Sequence, residues 1–255
     1  MHPDLIHLGR FILPTFGVLS ALGLMGALSL SLRTASLVGI DPDALWNAGL
    51  FAILSALVLS RLLLVVANLH SFLGYPLTIL TLPSLNDTGI LLTLLATGIY
   101  LRLKRLPLLA TLDAWAPCAT LAWIFLALGH LAEGSDLGLP TSVPWKILSP
   151  TGGAYLHPVA LYAALAAVLT TVAVLRLLAH RPQPGRPTAL ALAASGIAQF
   201  LISFLRHPSF AFDTNPLANI LDPIQWVALG MILAAGMILL QSTPIHITTP
   251  EHHAL

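Results

Sequence analysis

Residues 44–66 read ALWNAGLFAILSALVLSRLLLVV and contain a single charged side chain, Arg61. An α-helix of roughly 20 apolar residues crosses a bilayer core of about 30 Å, so this stretch predicts a transmembrane helix. The whole chain agrees, because 57% of its 255 residues are hydrophobic and only 8% are charged, against about 25% in soluble domains. The composition excludes a water-soluble fold and predicts an all-α, polytopic integral membrane protein.

Six further apolar runs are candidates for membrane spans. Together with residues 44–66 they predict about seven transmembrane helices in one domain that covers residues 1–255. The first run is too long for the apolar core of a cleaved signal peptide, so we expect it to be retained. The six runs are 11–32, 88–103, 114–131, 158–178, 188–205 and 223–240.

The segment 69–83 is also apolar, but Gly74 and Pro76 interrupt it. A short apolar segment more often lies in the membrane interface or re-enters the bilayer than spans it. We therefore predict an interfacial or re-entrant arm. The alternative is an eighth span, which would invert the first two helices.

The basic residues predict the orientation. With seven spans, seven Lys and Arg residues fall on one side and three on the other. The basic side is normally cytoplasmic, which predicts an outer N-terminus, a cytoplasmic C-terminus and an outer loop after residue 128. A topology with eight spans gives the same seven-to-three distribution of basic residues, so this distribution does not distinguish seven spans from eight. The seven are Arg33, Arg102, Lys104, Arg105, Arg176, Arg181 and Arg186, and the three are Arg10, Lys146 and Arg206.

Several kinds of site have no support in the sequence. The net charge of +1, without a basic stripe that contains aromatic residues, gives no indication of nucleic-acid binding. Cys118 is the only cysteine, which excludes an intramolecular disulfide and predicts a small buried side chain. No metal-ligand set or nucleotide-binding loop is visible, so no metal and no cofactor are implied.

The loop between the fourth and fifth spans reads GHLAEGSDLGLPTSVPW at residues 129–145, and HPVALY follows at residues 157–162. Glycine and proline recur in it, and it concentrates titratable side chains. One interpretation is a shaped loop that carries chemistry, and the other is a plain outer connector. The titratable residues are His130, Glu133, Asp136, Lys146 and His157.

Two arginines are candidates for binding an anion. An arginine at the centre of a span costs about 2.5–3.5 kcal/mol, so Arg61 marks a function unless it snorkels to the interface. Arg206 closes the sixth span at the same outer face, where an interfacial anchor is the alternative. Because few anionic partners are expected there, the two guanidinium groups would form a clamp for a phosphate.

His157 and Tyr162 lie at the start of the fifth span, where Pro158 occupies a favoured early helical position. Two roles are open for the His157 side chain, a hydrogen bond to substrate and a cap at the start of the helix. Tyr162 alone would be typical of the aromatic belt at a membrane surface.

Taken in order, these motifs resemble the prolipoprotein diacylglyceryl transferase family, bacterial membrane enzymes that move diacylglyceryl from phosphatidylglycerol to the lipobox cysteine of a prolipoprotein. The family's arginines late in the second helix and at the end of the sixth match Arg61 and Arg206. The likeness covers most of the chain. The family has a glycine-rich outer loop that ends in the pattern G-x-P-T-x-x-P-W, followed by the helix start H-P-x-x-L-Y. The glycine-rich loop and its pattern match Gly129, Gly134, Gly138, Pro140, Thr141, Pro144 and Trp145, and the helix start matches His157, Pro158, Leu161 and Tyr162.

The resemblance implies a multi-pass protein of the bacterial inner membrane. Its implied partners are phosphatidylglycerol, the signal peptide of a prolipoprotein and membrane lipid. The substrate-binding residues that it implies are Arg61, Arg206, Gly134, Gly138 and Tyr162.

The sequence departs from the family at positions that carry much of the family's catalysis. A divergent enzyme and a non-catalytic lipid- or lipoprotein-binding paralogue are therefore both open. A small transporter is disfavoured, because paired broken helices and acidic residues deep in spans are missing. Phe16 stands where the family has a tyrosine, and Asp87 where it has a histidine. Ala127 and His130 stand at the positions of an arginine and an asparagine. Gln199 and Ser203 stand at the positions of an arginine and a glutamate.

The reaction needs cations for a departing phosphate and a base for a thiol of pKa about 8.5. His130 is the predicted base, although a plain polar role at a helix end is the alternative. Asp87 is the rival and His157 the reserve. An imidazole of pKa about 6.5 is a better base than a carboxylate of about 3.9, unless burial raises the pKa of the carboxylate.

Overall fold

The computed structural model describes residues 4–8, 11–70, 87–149, 152–206 and 221–242. Most of the predicted arm at 69–83 lies outside these ranges. Within them, seven helices correspond one to one with the seven predicted spans and confirm the all-α membrane fold. The helices are α1 (Thr15–Val38), α2 (Pro42–Ala67), α3 (Asp87–Leu103), α4 (Leu108–Glu133), α5 (Val159–Ala179), α6 (Arg186–Ser203) and α7 (Pro223–Ser242).

Five of the described helices, α1, α2, α4, α5 and α7, are long and apolar enough to cross a membrane. The apolar helix α3 has 17 residues. Helix α6 has 18 residues, about 27 Å at 1.5 Å per residue. Large apolar side chains such as Met25, Leu91 and Leu169 cover the outside of the bundle. The protein is therefore a multi-pass membrane protein whose outer surface is suited to lipid.

Two short antiparallel hairpins were not predicted. Strand β1 (Asp4–Leu8) pairs with β2 (Phe11–Pro14), and β3 (Ile147–Leu148) pairs with β4 (Tyr155–Leu156). The first span was consequently predicted to start too early, since hydrophobicity alone does not separate a short apolar strand from a helix. Helix α1 begins after the extended Pro14 and ends at Gly39, which has a φ of 75°.

Helix α4 is central, because it packs against α1, α5 and α6. Its buried residues are mostly small, and Ala127 shares a buried cluster with Ala163 and Ala164 of α5. The approach to α1 is close as well: a Cβ on Gly23 would lie 2.7 Å from the Cβ of Phe125. Membrane helices depend on such close packing, since lipid provides no hydrophobic driving force between them.

A buried carboxylate ties α4 to the start of α6. Asp113 accepts hydrogen bonds from the backbone N–H of Gly185 at 2.6 Å and of Thr188 at 3.0 Å, and from the Thr188 hydroxyl at 2.6 Å. The first N–H groups of a helix have no partner within the helix and favour a negative charge. Asp113 therefore caps α6 from a neighbouring helix, and both of its oxygens are occupied.

The start of α7 is held by a capping box. The N–H of Ile224 donates to Oδ1 of Asp222, and the N–H of Asp222 donates to Oε1 of Gln225, each at 3.1 Å. Nε2 of Gln225 also donates to Oγ of Ser203 at 3.0 Å. The same glutamine thus joins the start of α7 to the end of α6.

Candidate functional site

The loop after α4 is held by backbone hydrogen bonds between the ends of other elements. Leu139 donates its N–H to the carbonyl of Leu205 at 2.8 Å, and its own carbonyl accepts the N–H of His157 at 3.0 Å. Thr141 donates to the carbonyl of Tyr155 at 2.9 Å. Residues 138–141 therefore form an extended ribbon between the end of α6 and β4. The described part of the loop therefore has a defined shape, and the chemistry predicted for it stays a prediction.

Two loop glycines have backbone roles. Gly134 ends α4 with a φ of 70°, a left-handed conformation that favours glycine. A Cβ on Gly138 would collide with the carbonyl oxygen of His157 and lie 2.9 Å from Cγ2 of Val159. These constraints explain why glycine stands at both positions. A contact of either residue with substrate stays a prediction.

Arg206 has an acidic partner, contrary to the expectation that few would be near it. Its Nη2 donates to Oδ2 of Asp136 at 2.9 Å, and the two side chains are 19% and 16% exposed. Nε of Arg206 is buried and has no hydrogen-bond partner within the described part of the chain. The guanidinium group therefore keeps a donor that the ion pair does not use.

A cavity of about 710 Å³ lies between α4, α6 and α7, within the range of about 300–1,000 Å³ that is typical of ligand sites. Arg206 is the charged residue among its described lining residues, and the rest of the wall is mainly apolar. Oε1 of Gln199, a further lining residue, is buried without a partner among the described residues. The lining residues are Leu112, Trp115, Ala116, Ala119, Thr120, Trp123, Thr188, Ala191, Leu192, Ser195, Gln199, Arg206, Pro223, Ile224, Val227, Ala228 and Met231.

Arg61 lies in a different part of the bundle. The described residues that line the cavity include Arg206 but not Arg61. Helix α2 packs mainly on α1 and α3, whereas α6 packs mainly on α7, α5 and α4. The structure does not bring Arg61 to this cavity, and a phosphate clamp shared by the two arginines stays a prediction.

His130 lies in the last turn of α4, in the same neighbourhood as Asp136. Its Nδ1 is 2.8 Å from Oγ of Ser135, and its ring centroid is 4.8 Å from that of Phe16. Two of the positions that depart from the family pattern are thus in contact. Asp136 lies near His130 and binds Arg206, which lines the cavity, whereas His130 is not among the described residues that line it.

The two sequence motifs meet through Tyr162. Nε1 of Trp145 donates to the Tyr162 hydroxyl oxygen at 2.7 Å, and Nδ1 of His157 is 3.3 Å from the same oxygen. This contact between the motifs was not predicted, because their sequences give no sign of which side chains face each other. It holds the loop on the first turn of α5.

The remaining departures have different surroundings. Ala127 is buried in an apolar cluster with Val159 and Ile202, so no charged side chain occupies that position. Ser203 accepts a hydrogen bond from Gln225. Asp87 begins α3, and its side chain lies outside the described residues.

Lipid-facing helices, a shaped loop and a mainly apolar cavity that contains Arg206 define a multi-pass membrane protein with a candidate ligand site. A sequence model of the prolipoprotein diacylglyceryl transferase family matches residues 3–241. The chain belongs to this family.

Similar proteins carry one name. A phosphatidylglycerol–prolipoprotein diacylglyceryl transferase of Idiomarina loihiensis is 31% identical over 154 residues, which cover 60% of this chain and 57% of that protein. The protein of the same name from Photobacterium profundum is 25% identical over 249 residues, which cover 93% of this chain and 89% of that protein. The chain thus spans little more than half of the first relative and most of the second.

Proposed function

We propose that this protein transfers a diacylglyceryl group from phosphatidylglycerol to the lipobox cysteine of prolipoproteins. The supporting observation is the cavity, where Arg206 Nε and Gln199 Oε1 are buried without partners among the described residues. A phosphoglycerol headgroup has phosphate oxygens for Arg206 and hydroxyl groups for Gln199. The apolar walls suit an acyl chain, and the names of the relatives support the same substrates.

In the proposed reaction, the cysteine sulfur attacks the carbon of the diacylglyceryl group that is bonded to the phosphate oxygen. The C–S bond forms as the C–O bond to the phosphate breaks, and glycerol phosphate leaves with the bonding electron pair. Arg206 stabilises the negative charge of the leaving group. Because a free thiol has a pKa of about 8.5, a base must accept its proton.

We assign the role of accepting the thiol proton to Nε2 of His130. This role requires that Nδ1–H of His130 donates to Oγ of Ser135, 2.8 Å away, because the lone pair on Nε2 is then free to accept a proton. Asp87 remains the rival base. His157 remains the reserve, with its Nδ1 directed at the Tyr162 hydroxyl.

Diacylglyceryl transfer to a lipobox peptide tests both the reaction and the base. The parent protein is expected to catalyse transfer and to restore lipoprotein modification in cells depleted of their own transferase. His130→Ala should lower the rate about a hundredfold, and Asp87→Asn should lower it less. His180→Ala is the control, since this exposed histidine bonds to the carbonyl of Arg176 at the far end of α5.

Two outcomes would contradict these assignments. Full activity of His130→Ala would exclude it as the base. A folded parent protein that binds lipid without any transfer would favour the second candidate, a non-catalytic lipid- or lipoprotein-binding paralogue. The buried apolar position of Ala127, where the family pattern has an arginine, supports that second candidate.

We further propose that the loop between α4 and α5 faces the outside of the bacterial inner membrane and that the C-terminus is cytoplasmic. The seven-to-three distribution of basic residues supports this orientation. A cysteine at the exposed Ser142, in a Cys118→Ser background, should react with an impermeant thiol reagent in intact spheroplasts. Labelling only after lysis would reverse the orientation.

A further inference from the structure

The β3–β4 hairpin directs an apolar pair away from the protein. Ile147 pairs with Leu156, and Leu148 pairs with Tyr155. Leu156 is buried, whereas Leu148 and Tyr155 are 56% and 51% exposed. A hairpin with one face in water normally turns polar side chains outward. The outward face of this hairpin therefore suits surroundings that are less polar than water.

Trp145 indicates the depth of this face relative to the membrane. Its indole N–H donates to the hydroxyl oxygen of Tyr162 at 2.7 Å, and Tyr162 lies in the first turn of α5. Trp145 is therefore level with the start of a membrane-spanning helix, while 58% of its surface is exposed. The surroundings at that depth are the lipid headgroups, where tryptophan and tyrosine are enriched.

Lys146 gives the same face a positive charge. Its Nζ lies 4.3 Å from the centroid of the Tyr155 ring, an attractive geometry between a cation and an aromatic ring. Lysine can lay its aliphatic stem on an apolar surface and keep its ammonium group among polar headgroups. The loop carboxylate of Asp136 is engaged by Arg206 instead. Lysine near a bilayer surface is attracted to anionic lipid.

We propose that the outward face of the hairpin, formed by Leu148 and Tyr155 with Lys146 over the Tyr155 ring, lies among the headgroups of a bilayer that contains anionic lipid. The exposed Trp145, which precedes β3, lies in the same layer. The face anchors the loop to the membrane surface. Because β4 bonds to the 138–141 ribbon, which in turn bonds to the end of α6, the anchor also fixes the height of Arg206 in the membrane. This role is independent of the proposed transferase activity.

Spin labels on single cysteines test the proposal in the full-length protein. Cys118, the only cysteine, is first replaced by serine, which preserves a hydrogen-bond donor to the carbonyl of Ala114. A label at Leu148→Cys is compared with labels at Leu169→Cys, an exposed position within α5, and at Gln183→Cys, an exposed position in the connector between α5 and α6. The protein is placed in nanodiscs of phosphatidylcholine mixed with phosphatidylglycerol.

The readout is collision of each label with oxygen, which concentrates in lipid, and with a water-soluble nickel complex. The ratio of oxygen to nickel collisions at Leu148 should be several-fold above that at Gln183 and below that at Leu169. Lys146→Gln should lower the Leu148 ratio in the anionic mixture and leave it unchanged in pure phosphatidylcholine.

A Leu148 ratio equal to that of Gln183 would overturn the anchor, because it would place the face in water. Protection of Leu148 from both reagents would also overturn it and would indicate a protein surface as the cover, such as a signal peptide or a second copy of the chain. None of these results depends on whether diacylglyceryl transfer occurs.

Discussion

The two ends of α6 are each tied to the α4 region by a carboxylate, yet the two carboxylates have different surroundings. At the start of α6, both oxygens of Asp113 are occupied by three donors. Beyond the end of α6, Asp136 holds one donor of Arg206. Nε of Arg206 and Oε1 of Gln199 remain buried without partners among the described residues.

This difference separates a structural carboxylate from one at a candidate functional site. Buried polar groups are normally hydrogen-bonded, so a complete set of bonds, as at Asp113, is what stability requires. Leaving such groups unpaired costs about 1–3 kcal/mol each, and a ligand that pairs with them would recover that free energy. The end of α6 at Arg206 is therefore the better candidate for ligand binding.

The largest expected effect follows from removing the charge of Arg206. Arg206→Gln should lower diacylglyceryl transfer about a thousandfold, because preorganised charge stabilisation is lost at the leaving phosphate. Steady-state transfer to a lipobox peptide measures it. Arg33→Gln, an exposed arginine in α1, is the control and should retain the parent rate. Equal rates for Arg206→Gln and Arg33→Gln would show that the charge of Arg206 does not contribute to transfer.

At the start of α6, a substitution of Asp113 should lower the stability of the protein. Asp113→Asn replaces an acceptor by an amide nitrogen that cannot accept, so at least one buried donor loses its bond, and the free energy of unfolding should fall by about 2–3 kcal/mol. Thermal unfolding in detergent measures this loss. Transfer per folded molecule should stay near the parent value. Asp43→Asn, an exposed acid in the first turn of α2, is the control, and an equal melting temperature for both variants would contradict a structural role.

The smallest expected effect concerns Asp136. The charge of Asp136 competes with a phosphate for the guanidinium group, so Asp136→Asn should raise the affinity for phosphatidylglycerol about fivefold, on the order of 1 kcal/mol. Binding to the purified protein at low and high salt measures it, with Glu133→Gln as the control. Weaker binding by Asp136→Asn would indicate that the carboxylate positions Arg206 rather than competing for it.

The helices were predictable because each is a local apolar run, and a run is visible in sequence without knowledge of its neighbours. The shaped loop was predictable from its glycine and proline residues. The capping box was also readable, since Asp222 and Gln225 have the required spacing, but it was missed.

The pairings between distant residues were not predictable. Asp136 and Arg206 are 70 residues apart, and their spacing says nothing about which helices are neighbours. For the same reason, the sequence suggested that Arg61 and Arg206 share one cavity, because both were assigned to the same face of the membrane. A shared height in the membrane does not specify a shared position around the bundle.

The ribbon at residues 138–141 constrains the order in which the protein assembles. Leu139 donates to the carbonyl of Leu205, and Gly138 pairs with Arg206, so one edge of the ribbon belongs to a segment synthesised well after it. During synthesis the loop is made before α6 exists. Residues 138–141 therefore lack their hydrogen-bond partners at the end of α6 until the chain has been synthesised beyond residue 206. A nascent chain that stops between α5 and α6 should carry the loop in a protease-sensitive form, and completion of α6 should close it.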